Sequence, residues 1–176
     1  MDKPRSPAVD AFWGAYREAR SVPEQDYDVC RMGSSPDMAD GLLALILHGP
    51  KRATACLLRD VEVGGEMMSK VGGHVVVLDG RDRPRAIWRT RTVEVKPLNQ
   101  VDAAFAWDEG EGERTREDWL VMHNRYFAAR AVAEAFAFDD SMPTVFERFT
   151  LVWPPDHADP EEPVGGVPSA GPGSHP

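Results

Sequence analysis

The chain has 176 residues, of which 42% are hydrophobic, and its formal net charge is -9 at pH 7. This length suffices for one domain with a hydrophobic core and is too short for two comfortable ones. The negative charge argues against binding to duplex DNA, because a broad electrostatic grip on phosphates needs many Lys and Arg residues.

Cysteine use and hydropathy give an expectation for where the protein acts. Cys30 and Cys56 form no CxxC pair, and the N-terminus lacks the basic patch and apolar stretch of a signal peptide. The longest apolar run, residues 42–47, falls short of the roughly 20 residues that cross a bilayer. We therefore expect a cytoplasmic protein with no membrane partner.

The first part of the chain predicts two helices. The first helix is indicated by apolar residues at helical spacing, namely Val9, Phe12, Trp13 and Tyr16. A second helix is expected after residue 35, with Ser35 or Asp37 as its N-cap. It should end at Gly49 in a left-handed conformation, and Pro50 makes the stop firm.

The rest of the chain predicts strands and one more helix. The Asp-Gly pair at 79–80 lies between two β-rich runs and predicts a hairpin, and residues 142–153 predict the last strand. Between them, a glycine-spaced acidic loop at 107–113 precedes a helix in which Thr115 can cap the amide of Asp118. This order indicates an α+β fold, a small β-barrel with about three flanking helices.

The composition divides the chain into three segments. Residues 1–32 are expected to form a helical extension that packs on the domain, and residues 33–153 to form the domain itself. Residues 154–176 are about half Pro and Gly. Such a segment holds little that can offset the entropy of ordering, so we expect a disordered tail.

The motifs over residues 33–153 resemble those of the ASCH domain, a PUA-like barrel family associated with RNA. The family signature is a Gly-x-Lys-x-x-Thr-x-Arg turn. Gly49, Lys51 and Thr54 are in register with it, whereas Cys56 stands where the arginine would fall. Three further stretches resemble the larger members: FAWDEGEGE, WLVMHNRYF and FERFTLVW. The resemblance implies a PUA-like fold and one of three functions, namely N(4)-acetylcytidine amidohydrolase, ribonuclease or non-catalytic RNA-binding module.

The predicted catalytic residues are Lys51, Thr54 and Glu109. A lysine and a threonine that flank one turn can touch, and the resemblance adds Glu109. In amide hydrolysis of an N(4)-acylated cytidine, our first expectation, Thr54 attacks the acyl carbon, neutral Lys51 accepts the hydroxyl proton, and Glu109 positions Lys51 and helps to protonate the leaving amine. In RNA cleavage, charged Lys51 stabilises a phosphorane-like transition state. A structural role, with Lys51 capping helix carbonyls, stays open.

The candidate binding residues come from a basic run and an aromatic face. Residues 81–96 contain six basic and two acidic side chains, which indicates either a phosphate-contacting surface or a solvated strand face. The helix after Thr115 carries a histidine and aromatic residues that either stack a base or pack in the core. The predicted substrate-binding residues are Arg52, Arg85, Arg89, Arg91, His123 and Tyr126.

Metal and cofactor chemistry has little support in the sequence. Asp108, Glu111 and Glu113 are expected to be solvated acids before a helix, with loose Mg²⁺ binding as the alternative. His48 is interpreted as a C-terminal helix cap, and the zinc deaminase pattern is absent. We therefore expect no metal and no cofactor, and RNA or a modified nucleoside as the partner. The oligomeric state is not predicted.

Overall fold

A computed structural model describes residues 5–24, 26–63 and 68–160. Its centre is a five-stranded sheet that curls into a half-barrel. The strands are β1 (Asp28–Cys30), β2 (Ala53–Leu57), β3 (His74–Leu78), β4 (Pro84–Pro97) and β5 (Pro143–Trp153). Their order is β1-β3-β4-β5-β2, with β1 parallel to β3 and the other neighbours antiparallel. The predicted α+β class is confirmed.

In the described residues, five α-helices surround the sheet, rather than about three. They are α1 (Pro7–Arg20), α2 (Pro36–His48), α3 (Leu58–Glu62), α4 (Ala103–Glu109) and α5 (Arg116–Glu134). The predicted helices correspond to α1, α2 and α5. The other two have only 5 and 7 residues, too few for a periodic pattern to show. No helix in the described part of the chain is long and apolar enough to cross a membrane.

The N-terminal helix α1 forms as the apolar spacing predicts. Its N-cap is Ser6, whose hydroxyl accepts a hydrogen bond from the amide of Val9. The buried residues of α1 are Val9, Trp13 and Tyr16, and they pack against Val76, Leu78 and Ile87 of the sheet. The helical part of the N-terminal segment therefore lies on the domain.

Helix α2 begins as predicted and ends differently. Ser35 is the N-cap and accepts from the amide of Met38 at 3.2 Å. At the other end Gly49 has a φ of -123°, which is extended rather than left-handed. The path of the chain from Gly49 into Lys51 sets this conformation. The amides of Gly49 and Lys51 both donate to the carbonyl oxygen of Leu45, at 3.1 and 3.2 Å.

The two sides of the sheet are covered by different helices. On one side α2 packs over Trp88, Phe149 and Leu151. On the other side, near β2 and β5, helices α4 and α5 pack over Ala53 and Phe146. Because neighbouring side chains on a strand point to opposite faces, these contacts fix the faces of the residues next to Ala53 on β2 and next to Phe146 on β5.

The predicted hairpin is confirmed, with a five-residue connection between β3 and β4. Asp79 organises this loop, because its carboxylate accepts hydrogen bonds from the amides of Arg81 and Arg83 at 2.9 and 3.0 Å. The register shifts between Val77 and Leu78, next to the loop.

Both ends of the predicted domain differ from expectation. Strand β1 begins at Asp28, so the predicted N-terminal extension already contributes a strand to the sheet. The predicted tail is ordered as far as the structure describes it: the amide of Leu151 donates to the carboxylate of Asp159, and the amide of Asp159 donates back to Leu151, both at 2.8 Å. Disorder of residues 154–160 is therefore a wrong prediction, and residues 161–176 lie outside the described residues.

Candidate functional site

The centre of the candidate site is a buried lysine. Lys51 is 1% exposed, although it follows a helix end at the edge of the domain. Its ammonium group donates to the carboxylate of Glu111 and lies 3.7 Å from Oε1 of Glu109. A buried charge needs such partners, because its removal from water is otherwise very unfavourable.

Glu109 occupies the last position of α4 and is also 1% exposed. Its Oε2 accepts a hydrogen bond from the indole of Trp119, and Nε2 of His123 lies 3.4 Å from the same oxygen. The rings of Trp119 and His123 are stacked, with centroids 3.7 Å apart. The two residues are one helical turn apart on α5, so a single helix supplies both partners.

The surroundings keep Glu109 ionised. Burial acts to raise the pKa of its carboxyl, but the opposing effects of Lys51, His123 and Trp119 together outweigh burial. The pKa of Glu109 therefore lies below its ordinary value of 4.5. At neutral pH the site holds a carboxylate whose oxygens face a lysine, an imidazole and an indole.

The side chain of His123 contacts Glu109 and is only 12% exposed to solvent. Its Nδ1 lies 3.0 Å from the carbonyl oxygen of Trp119, which can only accept, so Nδ1 carries the proton of that bond. With Nε2 toward Glu109, both ring nitrogens face oxygen atoms. The predicted base-stacking role of His123 would use a ring that already stacks on Trp119.

The acidic loop folds back over Lys51. Gly110 has a φ of 69°, and a Cβ atom at this position would lie only 2.8 Å from the amide nitrogen of Lys51 and from the carbonyl carbon of Pro50. Only glycine permits this close approach together with the left-handed conformation. The loop therefore packs on the backbone of Lys51 and brings Glu111 to its ammonium group.

Two of the three acids that we expected to be solvated are paired instead. Glu111 binds Lys51, and Asp108 accepts from Nε of Arg148 at 2.8 Å. The expectation is thus wrong for these two, because Arg148 of β5 and Lys51 before β2 lie within hydrogen-bonding distance of their carboxylates. Glu113 is exposed as expected.

Thr54 is the predicted site residue that the structure turns away from the lysine. It is half-buried in β2 and pairs with Glu147 of β5. Its neighbour Ala53 packs with the α4 and α5 residues, so Thr54 points to the opposite face of the sheet. The structure therefore brings Lys51 and Glu109 together, with Thr54 on the side of α2.

Glu147 forms a second buried carboxyl site on that side; sequence reasoning placed this residue in the FERFTLVW stretch and assigned it no role. It is 4% exposed and accepts hydrogen bonds from the indole of Trp88 at 3.0 Å and the hydroxyls of Thr90 and Ser69 at 2.6 and 2.5 Å. Burial raises the pKa of Glu147 above its ordinary value, despite these three donors. Glu147 lies opposite Thr54 in the pairing of β2 with β5. The sequence alone does not show this pairing.

Arg52 is engaged within the protein. Its Nε donates to both carboxylate oxygens of Asp159, at 2.8 and 2.7 Å, and its Nη1 donates to the carbonyl oxygens of Ile46 and Lys51. The residue predicted to bind substrate thus ties the segment 154–160 to the domain.

The remaining predicted binding residues lie on β4 and α5. Arg85, Arg89 and Arg91 are exposed, and Arg89 lines a cavity of about 530 Å³ between the start of β1 and the loop before β3. Tyr126 packs, partly buried, against the cluster that contains Phe127. Among the described residues, no group of three His, Cys, Asp or Glu side chains is arranged to hold a metal ion.

A curled five-stranded sheet, with a lysine and two carboxylates beside its second strand, defines a small α+β domain of the PUA-like kind. The model of the ASCH domain family matches residues 28–153. The chain therefore belongs to the ASCH domain family. No match was found among curated proteins.

Two solved structures show the same fold. The crystal structure of an ASCH domain from Lactobacillus crispatus JV V101 is 28% identical, with a TM-score of 0.75, and the match covers 85% of this chain and 97% of that one. A protein from Enterococcus faecalis V583 is 31% identical, with a TM-score of 0.74 and coverage of 82% and 88%. The match thus spans nearly the whole of both solved chains.

Proposed function

We propose that this protein is a ribonuclease that uses the charged ammonium group of Lys51 to bind a phosphate of single-stranded RNA. The observation that carries this proposal is the position of Lys51 between Glu109 and Glu111. Both carboxylates lie within ion-pair distance of the lysine nitrogen. In the proposed role the charged ammonium group of Lys51 stabilises negative charge on the phosphate and accepts no proton.

The same geometry makes amide hydrolysis the second candidate. A neutral Lys51 is needed to activate Thr54, and the side chain of Thr54 belongs to the face of the sheet that carries Glu147. The observation in favour of amide hydrolysis is the ion pair of Lys51 and Glu109, two members of the expected catalytic set. Binding of RNA without turnover is the third candidate.

In the proposed reaction, the 2′-hydroxyl oxygen of a nucleotide attacks the adjacent phosphorus and the bond from phosphorus to the 5′ oxygen breaks, which leaves a 2′,3′-cyclic phosphate on one fragment and a 5′-hydroxyl on the other. The proton of the 2′-hydroxyl passes to solvent, and water protonates the departing 5′ oxygen. Lys51 donates a hydrogen bond to a non-bridging oxygen, where negative charge accumulates in the transition state. Such a donor in a water-poor site typically contributes about 100-fold or more to the rate.

The test compares Lys51→Met, Thr54→Val and Glu109→Gln with the wild type on a short single-stranded RNA and on N(4)-acetylcytidine. We expect Lys51→Met to lose RNA cleavage by about 100-fold or more and Thr54→Val to retain most of it. Lys70→Met, at an exposed lysine, is the matched control and should cleave like the wild type.

Chromatography of the products separates the three candidates. RNA fragments with new termini support the proposal. Release of cytidine from N(4)-acetylcytidine by the wild type, together with loss of this activity in Thr54→Val, would establish the amidohydrolase instead. Absence of turnover on either substrate, with the variants folded by circular dichroism, would leave a binding module.

A further inference from the structure

The two carboxylates that hold Lys51 differ in their contact with solvent. The side chain of Glu109 is 2% exposed, whereas that of Glu111 is 24% exposed. Glu111 therefore forms the outer cover of a lysine that is itself only 1% exposed. A ligand that reaches the ammonium group of Lys51 has to take the place of the Glu111 carboxylate.

The partners of the two carboxylates indicate which of them can leave. Glu109 is held by Trp119 and His123 as well as by Lys51. Among the described residues, the Glu111 carboxylate is paired with Lys51 alone. Because its side chain already touches water, Glu111 can be solvated outside the site, whereas Glu109 is buried and would have no access to water if it were separated from Lys51.

The backbone around Glu111 is fixed by two glycines. Gly110 and Gly112 have φ values of 69° and 52°, and a Cβ at Gly112 would lie 2.2 Å from Oδ2 of Asp118. One glycine thus packs on the backbone of Lys51 and the other on α5. The Glu111 side chain between them can turn toward solvent without breaking either of these backbone contacts.

We propose that Glu111 is an exchangeable counter-ion of Lys51, which a phosphate group of the ligand replaces. This rests on the proposed function in that Lys51 is the phosphate-binding residue. Exchange of one anion for another keeps the buried ammonium paired, whereas a neutral nucleoside would leave it with Glu109 only. The site therefore selects phosphodiesters over neutral nucleosides, with Glu111 as the residue that sets this preference.

The experiment titrates inorganic phosphate, and in parallel a dinucleotide with one phosphodiester, into the protein by isothermal titration calorimetry. Glu111→Gln removes the competing charge and should bind phosphate about tenfold more tightly or better than the wild type. The matched control is Glu113→Gln, which makes the same charge change two residues away at an exposed position. We expect it to change binding by less than about twofold, as for a screened surface charge.

Addition of Lys51→Met to the Glu111→Gln variant should abolish the gain. An equal gain in Glu111→Gln and Glu113→Gln would reduce the effect to net charge and overturn the proposal. A gain that survives Lys51→Met, or no phosphate binding in any variant, would overturn it as well.

Cleavage of single-stranded RNA by the same variants distinguishes this proposal from the proposed function. Tighter phosphate binding in Glu111→Gln, with no RNA cleavage by the wild type or any variant, would refute the ribonuclease and leave the counter-ion exchange established. Cleavage that depends on Lys51, with phosphate binding unchanged by Glu111→Gln, would refute the exchange alone.

Discussion

Glu109 couples the stability of the protein to its candidate site. Its carboxylate joins the end of α4 to Lys51 before β2 and to Trp119 and His123 of α5. Breaking a buried ion pair by removing one partner is strongly destabilising, typically by about 3–5 kcal/mol, because the other charge is left behind. The residues that serve the proposed chemistry thus also hold two helices to the sheet.

The lowered pKa of Glu109 predicts how this contribution depends on pH. A carboxyl whose pKa is lower in the folded state contributes stability above its unfolded pKa and loses it as pH falls through the folded pKa. The difference in melting temperature between the wild type and Glu109→Gln should therefore be largest at pH 7 and shrink below about pH 4.5.

Calorimetry between pH 3 and pH 7 measures this difference. The control is Glu113→Gln, at an exposed acid, which should track the wild type across the range. A difference for Glu109→Gln that stays constant with pH would contradict the assignment of an ionised Glu109.

Sequence reasoning reached some of these residues and not others, for a physical reason. Lys51 and Glu109 belong to recognisable motifs, so their pairing could be anticipated as a hypothesis. The role of Glu111 depends on Gly110 lying against the backbone of Lys51, which is a tertiary contact. The hydrogen bond from Trp119 likewise joins two helices and leaves no local pattern.

At the scale of elements, long periodic segments were predictable and short ones were not. The apolar spacing of α1 and the cap of α5 at Thr115 both identify real helices. The end of α2 differs because a tertiary requirement, the path into Lys51, overrides the usual glycine geometry. The face of Thr54 could not be derived from a turn motif, since it depends on the pairing of β2 with β5.

Strand β4 carries the prediction for RNA contact. Arg85, Arg89 and Arg91 are exposed on this strand of an acidic protein. If they contact phosphates, replacing all three by Gln should flatten the plot of log affinity against log salt by about 2, since each contact with a single strand contributes about 0.7.

Fluorescence anisotropy with a labelled single-stranded RNA between about 50 and 200 mM salt measures this slope. The exposed residues Arg81 and Arg125, changed together to Gln, provide the control. An unchanged slope in the triple variant would place the phosphate contacts elsewhere on the protein.

At the scale of the whole molecule, residues 154–160, which follow β5, are bound back to the domain. Asp159 joins Arg52, next to the candidate site, to Leu151 in β5. The side chains of Arg52 and Asp159 are 27% and 24% exposed, so solvent screens their attraction and the ion pair contributes about 1 kcal/mol or less by itself. The two hydrogen bonds between Asp159 and Leu151, one through the backbone amide and one through the carboxylate of Asp159, add to it.

Truncation should therefore depend on where the chain is cut. A protein that ends at Trp153 should melt roughly 2–4 °C below the full chain, as expected for a loss of about 1 kcal/mol in a protein of this size. A protein that ends at Pro160 retains Asp159 and should melt like the full chain. Equal melting temperatures for all three chains would show that the contacts of Asp159 contribute no stability.

The strand order also determines when the protein can fold. Strand β2 lies at one edge of the described sheet, and its neighbour β5 is the last strand in the described part of the chain, so that Ala53 pairs with Arg148. A growing chain on the ribosome therefore carries the lysine turn and β2 long before their partner exists. Strand β2 has no pairing partner until residues 143–153 have left the ribosome, and pairings between such distant segments are slow to form. Because an unpaired strand edge promotes aggregation, chaperone binding during synthesis is most useful in that interval.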